Sequence, residues 1–151
     1  MNNKVFKRTV WALFIVYCAV LAFVLLSPTL HHPQAARSCS LVPFATVAKM
    51  LGGTVSADTA VRNIAVNILI LVPFGAALPV LFPKLRRFWK VTALAAAVVL
   101  LFEIAQYAFN LGTFDIDDII LNTLGAALGY ALVSIPPLKK ALLGREEADN
   151  N

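Results

Sequence analysis

The run VTALAAAVVLLFEIAQYAF, from Val91 to Phe109, decides the fold. At 1.5 Å per residue it is long enough to cross a bilayer core roughly 30 Å thick, and Glu103 is its one charged side chain. Three more stretches of this kind lie on either side: Thr9 to Leu26, Val61 to Phe82 and Ile116 to Ile135. Backbone polar groups in hydrocarbon must be satisfied within their own segment, so each stretch is read as a helix. The second contains Pro73 and Pro79, and Pro136-Pro137 stops the last. The resulting expectation is an all-α integral membrane bundle of four transmembrane helices, one domain over 1–144 with a polar tail over 145–151.

Composition agrees. A chain that is 60% hydrophobic and 14% charged has more apolar surface than a soluble core of this size can hide. The net charge of +5 does not point to nucleic acid, because the basic residues sit in short clusters between the apolar runs. They read as topology signals. Lys4, Lys7 and Arg8 precede the first run, Lys84, Arg86, Arg87 and Lys90 follow the second, and Lys139, Lys140 and Arg145 follow the fourth. By the positive-inside rule these regions and both termini are cytoplasmic, which turns the connections Ser27 to Ala60 and Asn110 to Asp115 outward. The first run is longer than a signal-peptide core and lacks a small-residue cleavage pattern, so it is read as a retained helix. Cys18 and Cys39 fall at different depths and are not expected to bridge. In the first outer connection Phe44, Val47, Ala48 and Leu51 recur at helical spacing before Gly52-Gly53. They predict a short helix, either lying in the interface or packed over the bundle.

The polar residues inside the spans are the functional signal, since an ionisable side chain there costs on the order of 3 kcal/mol on insertion scales. Glu103, Gln106 and Tyr107 form one stripe. Asp115, Asp118 and Asn122 share a face of the fourth span, continued by Gly125 and Gly129, and Asn63 and Asn67 enter on the second. Counted inward from the outer ends, Asn67, Glu103 and Asn122 reach similar depth, about 9 to 10 Å. The candidate ligand-binding set is therefore Asn67, Glu103, Gln106, Asp115, Asp118 and Asn122. Structural readings compete with it: asparagines act as packing glue and aspartates as helix caps. Asp117 points away from the stripe and is read as solvent-facing. The glycine pair is read as packing within the bundle, with a homo-oligomer through Gly125 and Gly129 as the alternative. His31 and His32 lie in the outer loop without carboxylate company, and no phosphate-cradling loop or nucleophile–histidine pattern occurs, so no metal or cofactor is expected.

Together these residues resemble the VanZ-like family of small bacterial membrane proteins. Leu41-Val42-Pro43-Phe44 looks like its outer-loop element, Asn67 to Gly75 like its Asn-to-Pro-Phe-Gly signature, Phe102 to Gln106 like its Glu-x-x-Gln helix, and Asp115 to Gly125 like its Asp-x-x-Asp-x-x-x-Asn-Thr-x-Gly segment. One departure stands out: many members carry an arginine just before the aspartates, where this chain has Gly112-Thr113-Phe114. Arg62 is a candidate substitute. The resemblance implies a multi-pass protein of the bacterial cytoplasmic membrane, linked to resistance against teicoplanin-type glycopeptides, and supplies no established reaction. The leading expectation is a non-enzymatic protein that binds a lipid or amphiphile at the outer leaflet. The alternatives are an enzyme acting on a lipid headgroup, with neutral Glu103 as general acid and Asp118 as base, and a small proton-coupled transporter.

Overall fold

The computed structural model describes residues 3–26 and 39–142. The expectations placed on His31, His32 and the tail from Arg145 lie outside those residues. Four long helices are present: α1 (Asn3–Leu26), α3 (Ala57–Leu81), α4 (Phe88–Ala108) and α5 (Ile116–Ser134). Each is long and apolar enough to cross a membrane. Between α1 and α3 come a two-residue strand β1 (Cys39–Ser40) and a short helix α2 (Ala45–Lys49). A second two-residue strand, β2 (Phe114–Asp115), precedes α5, and α6 (Pro136–Leu142) follows it.

The helix starts follow local chemistry. α3 begins at Ala57, ahead of the expected Val61, because the Ser56 hydroxyl accepts the Thr59 N–H at 3.3 Å and Asp58 sits in the first turn. α5 begins where expected, capped by Asp115, whose carboxylate accepts the Asp117 N–H at 2.9 Å. α2 continues into a π-helical turn, Met50–Thr54, where Gly53 adopts a left-handed φ of 88°. The short helix read from Phe44 to Leu51 is thus present, and Gly52-Gly53 marks its end.

The tightest packing joins α3 and α5, the second and fourth spans, which run side by side in the same direction. A Cβ at Gly125 would fall 1.9 Å from the Ile68 carbonyl oxygen, and one at Gly129 2.0 Å from that of Val72. From the other side, a Cβ at Gly75 would fall 1.9 Å from the Ala126 carbonyl oxygen. The two backbones touch, so the glycine face is filled by α3 of the same chain. α4 lies against α5, and the core runs through Leu71, Phe74, Leu78, Val91, Ala95, Val99 and Ala126. α1 is the peripheral helix, only 6% of its apolar window being buried against 33% for α3 and α5. It is tied in by Leu21 and by the Tyr17 hydroxyl, which donates to the Ile70 carbonyl near the Pro73 position of α3.

The basic clusters gather at one end of the bundle. Trp11 meets Phe82 edge-on at 5.1 Å, and the Tyr130 hydroxyl donates to the Arg86 carbonyl at 3.1 Å. The start of α1, the α3–α4 connection and the end of α5 are thereby brought together. The opposite end holds β1, α2, β2 and the aspartates. There β1 pairs in parallel with β2, Cys39 opposite Phe114 and Ser40 opposite Asp115. Cys18 and Cys39 are both free thiols.

Candidate functional site

The acidic segment that opens α5 does three separate jobs, one for each aspartate. Asp115 is the N-cap, in extended conformation. Its backbone N–H donates to Glu103 Oε2 at 2.9 Å, and its carboxylate accepts both the Asp117 N–H and the Thr46 hydroxyl, the latter at 2.6 Å. Glu103, on α4, is only 5% exposed and lies within Coulombic reach of both Asp118 and Asp115. Asp118 turns toward α3, where its Oδ1 accepts from Asn67 Nδ2. One turn further in, Asn122 donates from Nδ2 to the Asp118 carbonyl at 2.7 Å.

Asn67, Glu103 and Asn122, expected at similar depth, each bond to one of the aspartates: Asn67 to the Asp118 carboxylate, Asn122 to the Asp118 carbonyl, and Glu103 to the Asp115 N–H. α3, α4 and α5 each contribute. The Asn122 amide has a determined orientation, since only its NH2 can donate to the Asp118 carbonyl. Its Oδ1 then faces the interior, and this oxygen and Thr123 Oγ1 are buried without a partner among the described residues. A buried acceptor without a donor costs about 1–3 kcal/mol.

Two other expected residues lie elsewhere. Gln106 is buried, but it turns to α1, where Nε2 donates to the Leu25 carbonyl at 2.8 Å. Arg62 is exposed and pairs with Asp58 at 3.2 Å, one turn back on its own helix, so it does not substitute for the missing arginine. Asn63 is likewise exposed.

Asp117 is the correction. The helical period turns it away from the stripe toward solvent, yet it is 1% exposed. It does point away from the Glu103 stripe, but what lies on that side is the loop that enters α2. Its carboxylate accepts the N–H groups of Phe44, Thr46 at 2.9 Å and Val47 at 3.0 Å. These are the free donors at the start of α2, whose N-cap residue, Phe44, has no side-chain acceptor to offer. Asp117 supplies the missing cap from a distant part of the chain. Thr46, with its hydroxyl on Asp115, is the other contributor that spacing did not single out. The one hint was numerical: three aspartates stand where a single cap suffices.

Among the described residues no group of three His, Cys, Asp or Glu side chains is placed to hold a metal ion. The arrangement is suited instead to hydrogen bonding, with carboxylates and an amide oxygen presented as acceptors within the membrane-embedded bundle.

Comparison with known proteins shows the family of the chain. A family profile described as VanZ/LLP1 matches residues 13–137, which include every residue of the cluster. Protein VanZ of Enterococcus faecium is 31% identical over 138 residues, covering 88% of this chain and 76% of that protein. No solved structure matches.

Proposed function

The chain belongs to the VanZ/LLP1 family, and from that starting point we propose that it is a multi-pass protein of the bacterial cytoplasmic membrane that binds a lipid or amphiphile headgroup in the outer leaflet. Asp118, Asn122, Asn67, Glu103 and Asp115 hold the headgroup, and the apolar faces of the helices accept its tail. By this route it lowers the engagement of teicoplanin-type, lipid-tailed glycopeptides with the cell surface. The gathering of Lys7, Arg8, Lys84, Arg87, Lys139 and Lys140 at one end supports cytoplasmic termini and an outward-facing cluster.

The observation that carries the reading is a buried cluster that does not close on itself. Asn122 is 4% exposed, and among the described residues its Oδ1 lacks a donor, one turn below Asp118. Polar groups kept at this cost inside a span usually meet a ligand or an ion path.

The test is mass spectrometry of lipids that co-purify with the protein and with its Glu103→Gln variant, alongside total lipids of cells with and without the protein. A lipid retained by the unmutated protein and lost by the variant supports binding. Identical retention defeats it. A new headgroup-modified lipid that appears only with the unmutated protein transfers the reading to the enzyme alternative, with Glu103 and Asp118 as acid and base.

A further inference from the structure

We propose that Leu41-Val42-Pro43-Phe44, together with Leu51, forms a fixed apolar lip that inserts into the boundary between headgroups and acyl chains at the end of the bundle where α5 begins. Its occupant is the lipid leaflet in which the spans themselves sit. The inference rests on span geometry and on the loop's attachment, and it stands or falls separately from the binding of any particular headgroup.

The first observation is exposure. Leu41 is 63% exposed, Val42 67%, Phe44 58% and Leu51 68%, and Lys49 is the one charged residue from 41 to 55. In water this would be an unusual concentration of bare apolar side chains.

The second is depth. α5 has 19 residues, so at 1.5 Å per residue it is about 28 Å long, close to the thickness of the hydrocarbon it crosses. Its first turn must therefore lie at the hydrocarbon boundary. Asp117, in that turn, bonds directly to the Phe44 N–H, and Ser40 pairs with Asp115. The turn from Leu41 to Phe44 is pinned at both ends to the boundary level and cannot stand clear of it.

The third is conformation. Phe44 has a φ of 63°, in the left-handed region that bulky side chains avoid. The ring faces outward in this state, and the Asp117 carboxylate holds the backbone there through Phe44, Thr46 and Val47. Strain that persists because neighbouring groups over-determine it is characteristic of a segment with a task.

The experiment uses a single-tryptophan protein, Trp11→Phe, Trp89→Phe and Phe44→Trp, reconstituted into phosphatidylcholine–phosphatidylglycerol vesicles. The expected result is blue-shifted emission that is quenched more by phospholipid brominated near the top of the acyl chain than near its end, with shielding from iodide. Leu51→Trp in the same background gives the same readout should the Phe44 variant fail to fold. Emission typical of a water-exposed indole, quenched by iodide and indifferent to bromine, overturns the proposal. So does shielding from iodide without bromine quenching, which would mean that protein covers the lip.

Discussion

Replacing Asp117 by Ala removes one carboxylate that serves three backbone donors, Phe44, Thr46 and Val47. A hydrogen bond to a charged acceptor contributes about 1.5 kcal/mol or more, so the three together stabilise the closed loop by roughly 4 to 5 kcal/mol. The site is buried, at 1% exposure, so water replaces these bonds only once the loop has opened. Asn recovers a fraction of the loss, because its NH2 faces a donor. Hydrogen exchange followed by mass spectrometry in detergent or nanodiscs reads the effect directly. At 1.4 kcal/mol per tenfold, the amides of Phe44, Thr46 and Val47 should exchange on the order of a thousandfold faster in Asp117→Ala. Amides along the α3–α5 contact should keep their protection, because the glycine packing does not involve Asp117. Equal exchange at the three loop amides in the variant and the unmutated protein would refute the reasoning and mean that the loop is held from elsewhere.

Two further substitutions probe the frame around the cluster. Gly125→Ala places a methyl 1.9 Å from the Ile68 carbonyl oxygen, an overlap that only separation of the two helices relieves. A loss of about 1–3 kcal/mol is expected, seen as a lower melting temperature in detergent, and an unchanged transition would mean that the helices are not in backbone contact. Gln106→Leu removes the donor to the Leu25 carbonyl and should loosen α1 by about 1 kcal/mol. Faster hydrogen exchange along the second half of α1, with α3 to α5 unchanged, is the outcome that checks it.

The spans were legible because the physics that makes them is local and additive. Twenty apolar residues in a row have few other uses, and Pro136-Pro137 ends the last span by removing donors. The Gly125–Gly129 spacing was equally readable, since a helix period puts both on one face whatever the rest of the chain does. Within the cluster, depth matched Asn67 to Asn122, and the partner Asn67 meets is Asp118, one turn nearer the end of α5. The role of Asp117 was not legible, because a helical period tells which way a side chain points and nothing about what lies there. Its partners are backbone amides some seventy residues earlier, and backbone amides leave no residue type to recognise. Gln106 illustrates the same blindness. Its stripe with Glu103 is real, but its acceptor is a main-chain carbonyl at the end of α1, and no pattern marks that atom. Arg62 had a nearer answer in Asp58, an i,i+4 pair within its own first turns.

The backbone contact between α3 and α5 also bears on when the fold can close. α3 and α5 meet through bare backbone at Gly75, Gly125 and Gly129, yet α4 separates them along the chain. Until α5 is inserted, Gly75 and Asn67 of α3 have neither the α5 backbone nor Asp118 to meet. Only when α5 arrives can the seam and the Asn67–Asp118 bond close. A nascent chain cut short before α5 is thus left with an unsatisfied polar group in hydrocarbon, the feature by which membrane quality control can tell an incomplete copy from a finished one.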